Sequence, residues 1–185
     1  LEERIIGKKW ELALSEILKE LPPSSDPEMQ PSMLLADIIA RYQALLKIEI
    51  TPVPGVLQAI EDLAQKYPLA LVSGSIREHV LFALKKLGID GHFKEILGSE
   101  DYGSSKPSPE GYLAAVARLK VNAEACVAFE DSEAGVTSAK RSGLKVVAVL
   151  HANYGQNVEL ADIKIPNFEG IHSRWIERVF TSPVT

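Results

Sequence analysis

From residue 53 onward, stretches of helical periodicity alternate with short unbroken apolar runs, and this alternation restricts the fold more than any other feature. Leu69-Ala70-Leu71-Val72, Cys126-Val127-Ala128-Phe129 and Val146-Val147-Ala148-Val149-Leu150 show no polar alternation, so each reads as a strand buried on both faces. Weaker strands are expected at 95–97 and 162–165. Helical patterns over 56–64, 76–87, 109–119, 133–141 and 171–180 separate them. Strands of this kind joined by helices predict an α/β fold, a Rossmann-like parallel sheet with helices on both faces.

The residues before this core follow a different pattern. Trp10, Ala13, Leu14, Ile17, Leu18 and Leu21 recur at helical spacing, and a second helical set runs from Leu34 to Leu46. Pro22-Pro23-Ser24-Ser25-Asp26-Pro27 breaks the first from the second, and Thr51-Pro52-Val53-Pro54-Gly55 reads as a linker. The sequence therefore predicts a small helical domain over 1–52 and an α/β core over 53–185.

Composition narrows the function classes. With 46% hydrophobic residues in a chain of 185, a full core needs no disulfide support. Lysine and arginine number 20 against 25 acidic residues, so no basic field is available for nucleic acid or an anionic membrane. The apolar runs are too short to span a bilayer. The single cysteine, Cys126, reads as a buried, inert strand thiol and fits a reducing compartment, the cytoplasm. His79, His92, His151 and His172 show no zinc-ligand spacing.

The chemistry concentrates where the expected strands end. In open parallel sheets, ligands bind beyond the carboxyl ends of the strands. Leu69–Val72 runs into Ser73-Gly74-Ser75, the weak strand leads to Ser105-Lys106-Pro107-Ser108-Pro109, and Cys126–Phe129 runs into Glu130-Asp131-Ser132. A hydroxyl, an ammonium and two carboxylates at one rim suit a phosphate held beside a divalent cation. Each also has a plainer reading. Ser75-Ile76-Arg77-Glu78 has the form of a capping box. A loop lysine such as Lys106 is most often solvated. Glu130-Asp131 could cap the helix that follows. Two adjacent carboxylates ending an apolar strand are costly without a cation, which favours magnesium.

The ordered set Ser73-Gly74-Ser75, Lys106-Pro107-Ser108-Pro109 and Phe129-Glu130-Asp131-Ser132-Glu133-Ala134-Gly135 resembles the haloacid dehalogenase superfamily. It is most similar to the branch of beta-phosphoglucomutase and small sugar-phosphate phosphatases. Pro54-Gly55-Val56 at the start of the core, and the helical cap before it, extend the likeness over nearly the whole chain. The resemblance implies that Ser73 hydrogen-bonds the transferring phosphoryl group and that Gly74 supplies a backbone amide. It implies that Lys106 neutralises phosphoryl charge. Asp131 would ligate Mg2+, with Glu130 a second ligand or a support behind it. Ser75 and Arg77 are candidates to line the substrate pocket. The implied reaction is magnesium-dependent phosphoryl transfer from a small phosphorylated metabolite such as a sugar phosphate.

One part of the superfamily pattern has no match. The first motif, Asp-x-Asp-Gly-Thr after an opening strand, carries the covalent nucleophile, and the sequence contains no such run. Asp90-Gly91-His92 comes nearest but follows a helix end. The resemblance thus implies a core without its first strand and a chain inactive by itself. Gly7-Lys8-Lys9-Trp10 stands where the mutases carry Gly-x-Ser-Arg, which favours a phosphatase over a phosphosugar mutase. A phosphate-binding or regulatory module without turnover remains the non-enzymatic alternative. A phospho-receiver domain would place its acidic pair first along the chain, and a P-loop enzyme would need Gly-x-x-x-x-Gly-Lys-Ser/Thr, which is lacking.

Overall fold

The computed structural model describes residues 50–152 and 155–180. The helical stretches expected within 1–46 lie outside the described residues, as does the greater part of the proposed helical domain. Within them the order is α1 (Val56–Ala64), β1 (Leu69–Val72), α2 (Arg77–Leu87), β2 (Phe93–Leu97) and α3 (Glu110–Leu119). There follow β3 (Val127–Glu130), α4 (Glu133–Arg141), β4 (Lys145–Val149), β5 (Ile163–Ile165) and α5 (Ser173–Phe180).

Every strand pairing among the described residues is parallel. β1 pairs with β2 from Leu69↔Phe93 to Val72↔Leu97. β3 pairs with β4, and β4 with β5. The ladders form a two-stranded and a three-stranded sheet, and none joins β1 to β3 among the described residues. Residues of both strands line one apolar cleft of about 1050 Å³.

The middle strand of the larger sheet shows why its sequence is an unbroken apolar run. On one face of β4, Val146 and Ala148 pack with Tyr112, Ala128, Val136 and Ala139. On the other, Val147 and Val149 pack with Ala59, Leu63, Ile165 and Ile171. Val146, Val147 and Ala148 are wholly buried. Each valine removed from water in this way stabilises the fold by about 1.5–3 kcal/mol. A third cluster, Val80, Leu84, Ile89 and Ile96, covers β2 with α2.

Two local expectations are corrected. Cys126 lies just before β3, half-buried after a short 3-10 turn, and its thiol donates to the Asn122 carbonyl at 3.3 Å. It is not a buried strand residue, although burial still pushes its thiol up and keeps it protonated. Ser75 does not cap α2. Ile76 holds the N-cap position without a side-chain bond. The cap comes from Glu100, whose two carboxylate oxygens accept from the Arg77 N–H at 2.9 and 3.1 Å. The β1–β2 pairing places the loop after β2 against the turn after β1, and the Ser99 N–H donates to the Ser75 carbonyl at 2.9 Å. Gly98 makes this approach possible: a Cβ there would lie 2.3 Å from the Arg77 nitrogen. No helix among the described residues is long and apolar enough to cross a membrane.

Candidate active site

The turn after β1 is held from three directions. The Ser73 N–H continues the ladder, donating to the Leu97 carbonyl at 3.0 Å. Its Oγ accepts from the Ser75 N–H at 3.1 Å, and its carbonyl accepts from the Tyr102 hydroxyl at 2.7 Å. Burial, followed by the charges of Glu130, Asp101 and Glu100, pushes the Tyr102 phenol up to about 12, so it stays a donor at neutral pH. The backbone at Ser73-Gly74-Ser75 is therefore fixed before any ligand arrives.

Lys106 is not a solvated loop lysine. It is buried, and the Lys106–Pro107 peptide bond is cis. Its ammonium donates to Glu130 Oε1 and to the Val72 carbonyl at 3.3 Å. It also lies 5.2 Å from the centre of the Tyr112 ring. The Tyr112 hydroxyl donates to the same Glu130 oxygen. Burial and the Glu130 carboxylate hold the Tyr112 phenol well above its ordinary value, so this donor too keeps its proton. The last strand residue of β3 thus enters the interior as a carboxylate met by two donors, the arrangement a buried charge requires. Gly135 leaves room for it: a Cβ there would lie 2.0 Å from Glu130 Oε2.

Asp131, the next residue, opens to solvent. Its carboxyl is pushed up by desolvation against the surrounding wall and then by the Glu130 charge, with Lys106 opposing. Neither carboxylate caps α4. That role belongs to Ser132, whose Oγ accepts from the Gly135 N–H at 3.1 Å. A raised carboxylate beside a second carboxylate is the type of site a hard divalent cation relieves. Asp131 fits such a cation as one oxygen ligand. No cluster of three histidine, cysteine, aspartate or glutamate residues able to hold a metal occurs among the described residues.

Ser73, Gly74, Ser75, Lys106, Glu130 and Asp131 all line the cleft between β1 and β3. Arg77 does not; it is exposed and lies 3.9 Å from Asp101, a carboxylate also bound by Arg118 at 2.7 Å. Tyr112, Tyr102 and Glu100 are the positions that sequence reading missed, and Gly135 stood in the third motif without a role. Tyr112 had one legible signal: it sits in the first turns of α3, six residues after Lys106, and a buried tyrosine needs an acceptor for its hydroxyl.

The haloacid dehalogenase-like hydrolase family matches residues 1–149. The chain belongs to this family. It is 29% identical over 140 residues to validoxylamine A 7'-phosphate phosphatase of Streptomyces hygroscopicus, covering 74% of this chain and 64% of that one. It is 35% identical over 101 residues to a phosphorylated carbohydrates phosphatase of Thermotoga maritima, covering 54% and 47%. The matched part of the chain thus spans 64% and 47% of the length of these two curated relatives. Its fold is that of CbbY from Rhodobacter sphaeroides, solved with xylulose-(1,5)bisphosphate, at a TM-score of 0.79 and 22% identity, over 91% of this chain and 77% of that one. The rim at the ends of β1 and β3 is thus part of a haloacid dehalogenase-like fold.

Proposed function

We propose that this chain holds the phosphate-handling rim of a magnesium-dependent phosphatase for a small phosphorylated metabolite, a sugar phosphate in the first instance. One observation carries the reading: a serine, a buried lysine and an exposed, charge-strained aspartate line one cleft at the ends of β1 and β3. Phosphoryl transfer needs positioned donors and cations more than covalent chemistry from the protein, and these residues supply them. Ser73 Oγ and the Gly74 amide would bind the phosphoryl oxygens, and Lys106 would offset their charge. Asp131 would hold Mg2+, which neutralises the charge that develops on the phosphate when it is bound. Glu130, already shared by Lys106 and Tyr112, supports the lysine in this reading more than it faces the metal. The relatives named for phosphorylated carbohydrates support the substrate class.

The nucleophile would be an aspartate on an extended segment lying in the cleft between β1 and β3, since the Asp-x-Asp-Gly-Thr run is lacking in these 185 residues. A phosphatase assay with p-nitrophenyl phosphate and a panel of sugar phosphates tests this. It is run on the 185-residue chain and on the same chain preceded by an apolar strand ending in Asp-x-Asp-Gly-Thr. Turnover is expected only from the second, and Asp131→Asn is expected to lower it by a factor on the order of 10²–10³. Metal-dependent turnover by the 185-residue chain alone would overturn the assignment of the nucleophile. Turnover indifferent to Asp131→Asn would overturn the rim.

A further inference from the structure

Lysine has a flexible stem and a rotatable ammonium, so a lysine that must face a phosphate in one direction needs fixed acceptors behind it. Lys106 has two, Glu130 Oε1 and the Val72 carbonyl. The second is backbone of β1 and cannot move far. The first is a side chain, and what fixes it decides where the ammonium points.

Three features fix Glu130. It is the last residue of β3, so its backbone is tied to Ala148 of β4. The side chain is pressed against the backbone of α4 at Gly135, where no Cβ could stand. Its Oε1 accepts the Tyr112 hydroxyl, and the Tyr112 ring faces the Lys106 ammonium at 5.2 Å. Tyr112 therefore touches both members of the ion pair, through its hydroxyl on one and its ring on the other. It is itself buried in the cluster formed by Ala128, Val136, Val146 and Ala148, which leaves its ring little freedom.

We infer that Tyr112 is a positioning residue for Lys106: it holds the Glu130 carboxylate and the ammonium in one register, so that the lysine is presented to a phosphate at the cleft. The inference rests on the reading of Lys106 as a phosphate-binding group. Hydrogen bonds to a charged acceptor have modest net strength, so the loss of the hydroxyl is expected to weaken binding without abolishing it. Gly135 belongs to the same device, because any side chain there displaces Glu130 from beneath the lysine.

The test uses the 185-residue chain, with inorganic phosphate and Mg2+ as the probe, and side-chain ammonium NMR as a second readout. Tyr112→Phe is expected to weaken phosphate binding by roughly threefold to thirtyfold. It should also shift or broaden the Lys106 ammonium resonance while leaving those of exposed lysines unchanged, an effect general loss of stability would not single out. A variant carrying Lys106→Met with Glu130→Gln removes the pair as a unit and is expected to lose phosphate binding. If that double variant binds phosphate normally, the reading of Lys106 fails. If the double variant loses binding while Tyr112→Phe alters neither affinity nor the Lys106 resonance, the positioning role is overturned. Should Tyr112→Phe fail to fold, the wild-type chain still decides. A slowly exchanging Tyr112 hydroxyl proton with a cross-relaxation peak to the Lys106 ammonium supports the inference, and its absence contradicts it.

Discussion

At the scale of the residue, Asp131 and Glu130 are neighbours in sequence with opposite surroundings. Glu130 is buried among donors, whereas Asp131 faces solvent with another carboxylate behind it. The carboxyl of Asp131 is raised above its ordinary 3.8, so the folded state binds its proton more tightly than the unfolded state does. Its contribution to stability is fully present below the ordinary value and is lost as pH rises through the raised one. Asp131→Asn is therefore expected to raise the thermal midpoint near pH 7, with the difference closing in acid below about pH 4. Mg2+ should raise the midpoint of the wild-type chain and not that of the variant. Calorimetric scans across pH, with and without Mg2+, check both statements.

The buried pair answers to a different rule. Removing Lys106 alone strands the Glu130 carboxylate, and Lys106→Met is expected to cost about 3–5 kcal/mol. Adding Glu130→Gln to it should recover much of that loss, because no uncompensated charge is left inside. Urea denaturation of the two variants measures the difference.

At the scale of the element, what the sequence made legible was periodicity. The apolar runs that predict β1, β3 and β4, and the helical patterns from residue 56 onward, reappear within a residue or two in the structure. Capping was only partly legible. Ser75-Ile76-Arg77-Glu78 has the form of a capping box, yet α2 is capped by Glu100 from a loop 23 residues away. A capping box is a local pattern, whereas Glu100 reaches α2 only because β1 and β2 pair. The two readings give different outcomes. Glu100→Ala is expected to cost about 1 kcal/mol, and Ser75→Ala less than about 0.5 kcal/mol, by thermal or chemical denaturation. The same tertiary dependence hid Tyr112. Its place in a helical pattern was evident, but its hydroxyl meets Glu130 only once α3 packs over the end of β3.

At the scale of the whole molecule, the two parallel sheets share one cleft, and the candidate groups gather at its polar rim. The candidates Ser73, Lys106 and Asp131 could be named from sequence because strand ends are where an α/β sheet places ligands. The state of each could not. Burial of Lys106, exposure of Asp131 and the turning of Arg77 toward Asp101 are products of packing among distant segments. The stability of this arrangement rests on β4, which is covered on both faces. Val147→Ala is expected to cost about 2 kcal/mol without altering the rim, which lies beyond the ends of β1 and β3.

On the function proposed above, the rim holds a phosphate together with a divalent cation. Isothermal titration of inorganic phosphate into the 185-residue chain, with and without Mg2+, measures it most directly. The expected result is a single site whose affinity rises when Mg2+ is present, and which loses that rise in Asp131→Asn. Phosphate binding that ignores both Mg2+ and Asp131→Asn, or no binding at all, would mean that the rim does not hold the two together.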